Sequence, residues 1–120
     1  MNLNEPIREY KLNIIAEETE LQGKAIFKEV TRFHGKIKGE IHALPGSLLI
    51  LTDTSMVEGK VSGDQVIVDG YVDGEISATG KITISPQGRV TGKIQAPRIE
   101  IQTGAWVEGS FISNPQPLAT

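Results

Sequence analysis

The chain repeats itself. Five times it places an apolar residue, any residue, Gly, any residue and a second apolar residue. The copies run Phe33 to Ile37 around Gly35, Val57 to Val61 around Gly59, Val72 to Ile76 around Gly74, Val90 to Ile94 around Gly92, and Val107 to Phe111 around Gly109. A degenerate sixth copy runs from Leu21 to Ala25 around Gly23. The last four copies begin 15, 18 and 17 residues apart. Between copies lies a second apolar pair with one residue between: Leu49/Leu51, Val66/Val68, Ile82/Ile84 and Ile99/Ile101. A self-similar period of this length means stacked supersecondary units, each unable to bury its apolar face alone. A stack also has two open ends, which an ordinary globular fold does not.

Within the repeats the apolar period is 2, and β-branched residues dominate, which suits short pleated strands. Gly, Pro, Asn and Asp interrupt every few residues, at Pro45-Gly46, Asp69-Gly70, Pro86 to Gly88, Pro97 and Gly104. No stretch of ten residues holds a capped helical stripe. A period near 17 is too short for a hairpin with its loops, but it fits one coil of a β-solenoid with three short faces. In the coil that starts at Val90, Val90 lies on the first face, Ile94 on the second, and Ile99 and Ile101 on the third. Gly92 and Pro97 fall at or near the corners. The fold class is therefore an all-β parallel β-helix of about 5–6 short coils, roughly triangular in section, stacked at about 4.8 Å per coil. The expected core is Val57, Val61, Val66, Val68, Val72, Ile76, Ile82, Ile84, Val90, Ile94, Ile99 and Ile101.

The second apolar pair ends eight residues before the repeat Gly in three cases: Leu51 before Gly59, Ile84 before Gly92 and Ile101 before Gly109. In the fourth, Asp69-Gly70 replaces a four-residue corner such as Ser85 to Gly88. Losing two residues keeps side-chain parity, so the inward set stays inward. Three segments follow. Residues 1–11 are polar, contain Pro6 and are expected to be a disordered tail. Residues 12–113 form the β-helix, with 12–32 as irregular first coils or a cap, because Gly23 and Gly35 are only 12 residues apart. Residues 114–120 carry Pro115 and Pro117, which lack the N–H a strand needs; they are expected to be a second disordered tail.

Composition narrows the function. The net charge of −3 lacks the basic face usual in nucleic-acid binders. With no cysteine, disulfides and thiolate metal sites are excluded. No apolar run reaches the roughly 18 residues of a membrane span. The first residues lack the basic start and apolar block of a secretory signal. The expected location is cytoplasmic, with any membrane contact peripheral or through a partner.

Chemistry is sparse. His34 and His42 are the two histidines. A histidine can serve as general base in left-handed hexapeptide-repeat acyltransferases. Those require an aliphatic residue every six positions, and stepping from Val61 gives Ile67, Asp73, Thr79 and Ser85, so the hexad fails. Glu58, Asp73, Glu75 and Glu108 could form an acidic ladder for a hard cation. Lys24, Lys36, Lys60 and Lys93 interleave with them, which favours a solvated face with cross-coil ion pairs. Spellings such as Gly70 to Gly74 have no helix after them and so no phosphate cradle. The expectation is no catalysis, no cofactor and no metal.

The repeats resemble the bactofilins, bacterial polymer-forming cytoskeletal proteins. The residues that carry the resemblance are Val57-Glu-Gly-Lys-Val61, Val72-Asp-Gly-Glu-Ile76, the run from Gly80 to Ala96 and Gly104-Ala-Trp-Val-Glu-Gly109, within a stretch from Phe33 to Phe111. The resemblance implies a right-handed β-helix that polymerises end to end without nucleotide. It further implies filaments at the inner membrane surface that scaffold cell-wall or morphogenesis proteins, with no nucleic-acid partner. Family members often begin with an apolar and basic segment that touches lipid. Here Leu3 and Ile7 are the only large apolar residues after Met1 in the opening eight, so direct lipid binding is not expected. Trp106, Val107, Phe111 and Ile112 fall in the last coil, where a stack ends or meets a neighbour, and are the candidate self-assembly surface. A monomeric β-helical adaptor binding one partner along a face, and more remotely a β-helical enzyme, are the alternatives.

Overall fold

The computed structural model describes residues 12–113. The expectations for residues 1–11 and 114–120 lie outside the described residues. Ten strands make one all-parallel sheet wound into a solenoid. They are β1 (Leu12–Ile15), β2 (Glu20–Phe27), β3 (Val30–Phe33), β4 (Lys36–Ala43), β5 (Leu48–Leu51), β6 (Met56–Val68), β7 (Tyr71–Ile84), β8 (Arg89–Ala96), β9 (Arg98–Ile101) and β10 (Trp106–Ser113). The chain enters on the third face with β1 and leaves at the end of the second with β10.

Register is continuous from end to end. On the first face Leu21, Ile37, Val57, Val72, Val90 and Val107 stack in line. On the second face Ala25, Ile41, Val61, Ile76, Ile94 and Phe111 do the same. On the third, Ile15, Phe33, Leu51, Val68, Ile84 and Ile101 form one inward column, and Asn13, Thr31, Leu49, Val66, Ile82 and Ile99 the other. Each column has six members, so the solenoid has six coils. Stacking of like on like suits a parallel ladder, and apolar columns fill most of the interior. At the start of one third-face column stand Asn13 and the buried Thr31, satisfied by an Asn13 Nδ2 to Thr31 Oγ1 hydrogen bond of 3.2 Å. Val57, Val61, Val66, Val68, Val72, Ile76, Ile82, Ile84, Val90 and Ile94 are buried, together with Phe33, Ile37, Ile41, Leu49 and Leu51.

Two expectations need correction. Ile101 is 43% exposed and Ile99 only partly buried. Both point inward by register, but β9 pairs only with β7 and no described strand lies beyond it. The other correction concerns register. Gly39, not Gly35, is the repeat Gly: it pairs with Gly23 on one side and Gly59 on the other. Phe33 belongs to the third face, stacked between Ile15 and Leu51. Residues 20–27 therefore pair over their whole length with β4, in step with the later coils.

The repeat glycines form a column of their own. Gly23, Gly39, Gly59, Gly74, Gly92 and Gly109 all have φ between 105° and 143°. A Cβ at Gly39, Gly59, Gly74, Gly92 or Gly109 would fall on the carbonyl oxygen of the repeat Gly one coil earlier. This is the bend between the first and second faces, where only glycine tolerates both the dihedral and the approach. The coil-to-coil steps of 15 to 20 residues are absorbed elsewhere, in corners of one, two or four residues and at a bulge between Gly63 and Gln65. Asp64 sits in that bulge and ties coils together, accepting hydrogen bonds from Gly46 N (3.1 Å) and Thr79 Oγ1 (2.9 Å).

The outward columns differ between faces. Beside the Gly column runs Lys24, Glu40, Lys60, Glu75 and Lys93, alternating in sign along the second face. The third face carries Leu12, Val30, Leu48, Gln65, Lys81 and Arg98 in one outward column. In its other column stand Ile14, Arg32, Ile50, Ile67, Thr83 and Glu100.

Candidate functional site

No helix among the described residues is long and apolar enough to cross a membrane. Nor do the described residues hold a group of three His, Cys, Asp or Glu side chains placed for a metal ion. The ladder's four acidic residues fall in two columns, Glu58, Asp73 and Glu108 in one and Glu75 in the other, each broken by Lys or Thr. Among them Glu75 meets a lysine, Lys60, at 3.7 Å, an exposed contact worth at most about 1 kcal/mol. His42 Nδ1 lies 2.6 Å from Ser62 Oγ, one coil on. Asp64, two residues on from Ser62, is bonded to Gly46 and Thr79 rather than to the imidazole. The orienting acid that a triad needs is missing. His34 Nδ1 lies 3.0 Å from Thr52 Oγ1, while Thr54 donates to the His34 carbonyl at 2.8 Å. Both histidines are parts of corner and cross-coil hydrogen bonding.

The ends are different. At the N-terminal end β1 and β2 each pair on one side only, and at the C-terminal end so do β9 and β10. Every second N–H and C=O of these strands faces along the axis with no partner in the described fold, an edge that can template another strand. Around those edges sit large apolar side chains. At the first coil Leu12, Ile14 and Ile26 are 47%, 58% and 58% exposed. At the last, Ile101, Trp106, Phe111 and Ile112 are 38–51% exposed, and Val107 is partly buried against the core.

One column shows that this is not general surface stickiness. Ile26, His42, Ser62, Ser77, Gln95 and Ile112 occupy the same outward position in successive coils. The column is apolar at its two ends and polar in every coil between. The four candidate residues of the last coil divide by direction. Val107 and Phe111 continue the inward columns of Val90 and Ile94, so they form the floor of the open end. Trp106 and Ile112 point outward at its rim, with Trp106 next to Arg89 in its column. The N-terminal end was less visible in the sequence. Phe27 lies against Phe33 there with ring centroids 6.4 Å apart, closing the first coil with aromatic bulk. The exposed Ile14 and Ile26 beside it are readable only once Gly23 is placed in register with Gly39.

The described residues thus form a six-coil parallel solenoid with one-sided strand edges and apolar rims at both ends. The model of the family described as "Bactofilin: Polymer-forming cytoskeletal" matches residues 13–111. The chain belongs to the bactofilins. Among its relatives, bactofilin BacO of Myxococcus xanthus is 32% identical over 97 residues, covering 81% of this chain and 75% of BacO. Bactofilin BacP of the same organism is 32% identical over 89 residues, 74% of this chain but 36% of BacP, so the chain spans about a third of that longer relative. Two solved structures share the fold. One is a Thermus thermophilus bactofilin reconstructed by cryo-EM as double helical filaments, with a TM-score of 0.73, 24% identity, and 82% of this chain and 98% of that one covered. The other is the cytoskeletal bactofilin BacA solved by solid-state NMR, with a TM-score of 0.76, 22% identity, and 85% and 95% covered.

Proposed function

We propose that this chain polymerises end to end through its first and last coils, without nucleotide, into filaments. On this reading the filaments act in the cytoplasm as a scaffold for cell-wall or morphogenesis proteins, at the inner face of the membrane through those partners. The observation that carries the reading is the outward column that is apolar only at Ile26 and Ile112. Joining two ends pairs the free backbone edges and removes both rims from water, at roughly 25 cal/mol per Å2 of apolar area. The interface also adds backbone hydrogen bonds at about 0.5–1.5 kcal/mol each. No Gly-rich loop leads into a helix among the described strands, so no cradle for a nucleotide phosphate accompanies the ends. The family's description as polymer-forming supports the same reading.

The test is sedimentation and negative-stain microscopy of the purified chain in nucleotide-free buffer. Filaments that pellet without ATP or GTP are expected. A strict nucleotide requirement would remove the mechanism, and a monomer at all concentrations would favour the adaptor.

A further inference from the structure

A seventh coil would begin on the third face, with a strand laid on β9. The register of β10 on β8 sets Ser113 beside Ala96. Carried forward on the sequence, it sets Pro115 beside Arg98, Gln116 beside Ile99, Pro117 beside Glu100 and Leu118 beside Ile101. Leu118 thus falls on the inward column that ends in Ile101, which is 43% exposed. The two prolines fall on the two outward columns.

Those outward columns supply the donors of the ladder. Leu48 N–H donates to the Glu29 carbonyl one coil back (2.9 Å), and Gln65 N–H to the Ser47 carbonyl (3.4 Å). Four residues further along, Thr52, Asp69, Ser85 and Gln102 each donate N–H to the preceding coil at 2.7–3.1 Å. Every second N–H of a parallel strand faces the same neighbour, so the position between, that of Glu100, faces back as well. Proline has no N–H. Pro115 and Pro117 therefore delete both donors that such a strand would send to β9. One place further along, either proline would face out along the axis and be tolerated as an edge residue. None of the six third-face strands of the described fold contains proline. The acceptor that an N–H at position 115 would reach, the Pro97 carbonyl, takes a hydrogen bond from Ser113 Oγ instead, at 3.2 Å. The Ile99 carbonyl would be covered with no donor, which folded chains avoid.

We propose that Pro115 and Pro117 are a strand stop, which keeps the chain's own continuation off β9 and reserves that edge for a second copy of this chain. The proposal rests on end-to-end assembly as argued above. A tail able to close the edge would compete with every incoming protomer, and it would do so from within the same molecule, at high effective concentration. Proline on an edge strand commonly protects that edge from foreign strands. Here both prolines face the chain's own fold, and the effect is the reverse: the edge stays open. The outermost strands of either end, β1, β2, β9 and β10, contain no proline, so an incoming copy brings the donors that the tail lacks.

The test restores the donors. Pro115→Thr/Pro117→Thr is compared with Gln116→Thr, which keeps both prolines, and circular dichroism checks the fold of each. With the tail closed on β9 most of the time, the protein concentration at half-assembly, read by sedimentation, should rise about tenfold, since only the open fraction can join. Pro115→Thr and Pro117→Thr alone should fall between, and Gln116→Thr should match the parent. In the unassembled double variant, the new amides at positions 115 and 117 should be protected from hydrogen exchange. Assembly like the parent's with those amides unprotected would overturn the stop while leaving end-to-end assembly intact. Protected amides with unchanged assembly would show that the β9 edge is not reserved for a second copy, and an equal rise for Gln116→Thr would show that the prolines are not the cause; either result overturns the proposal. A parent chain that forms no filaments would overturn the end-to-end reading and this inference with it.

Discussion

Gly74→Ala should be far more damaging than its single methyl suggests. Gly74 holds φ at 143°, and its added Cβ would land on the carbonyl oxygen of Gly59 in the coil below. The dihedral alone costs on the order of 1–3 kcal/mol for a residue other than glycine. Neither the methyl nor the oxygen can swing aside, because both belong to paired backbone. The two coils must part locally, and each ladder hydrogen bond lost adds about 1 kcal/mol. The total is roughly 3–5 kcal/mol, against about 5–15 for a whole domain. Gly46→Ala is the matched control. Its φ is also positive, at 81°, but nothing lies within 4 Å of the added Cβ. It should lose only about 1–2 kcal/mol. At about 4–8 °C per kcal/mol for a domain of this size, the roughly 2.5 kcal/mol between the middles of the two ranges should separate the melting temperatures by about 10–20 °C. The comparison is made by circular dichroism at one protein concentration, since assembly itself raises apparent stability. Equal melting temperatures for the two variants would refute the close-stacked glycine column as a structural requirement.

Ile94→Asp would bury a carboxylate where Ile94 is fully enclosed, at a cost of several kcal/mol, and should abolish soluble folded protein; a melting curve like the parent's would show that the second-face column is not core. Gly23→Ala makes the opposite demand. Its Cβ meets none of the described residues within 4 Å, and since the Cβ of each later repeat Gly falls on the carbonyl one coil earlier, that of Gly23 points along the axis out of the first coil. The variant should fold with only the dihedral cost and yet assemble less, read as a smaller pelleted fraction. Assembly equal to the parent's would mean that no neighbour stacks closely on that end.

The sequence already held the period, the three-sided coil and the middle columns, because from Val57 onward each spacing change falls in a corner and preserves parity. The third-face pairs from Leu49/Leu51 to Ile82/Ile84 were legible for the same reason. The early register was not. Phe33 to Ile37 and Ile37 to Ile41 both satisfy the same five-residue pattern, and nothing local separates Gly35 from Gly39. The deciding signal is the sign alternation of Lys24, Glu40 and Lys60, which appears only with Gly39 in line. Ile101 was misplaced because periodicity assigns direction, whereas burial also needs a following coil. The outward Leu48, Ile50 and Ile67 were hidden inside apolar runs whose alternate members were enough to account for the core. The floor of the C-terminal end, Val107 and Phe111, was visible because the chain's repeats end there. Its N-terminal counterpart depended on the register that the sequence left ambiguous.

Joining of protomers through coil ends is tested most directly at Val107. Its side chain lies on the floor of the last coil, stacked on Val90 and partly buried against the core. An arginine there can turn its head to water at the end of a free protomer. At a closed junction it would place a charge between two apolar floors, which is costly. Size-exclusion chromatography with light scattering of Val107→Arg, alongside circular dichroism, separates folding from assembly. The account predicts a β-rich protein at the protomer mass of 13.0 kDa under conditions in which the parent forms filaments. Folded Val107→Arg protein that still forms filaments as the parent does would contradict it.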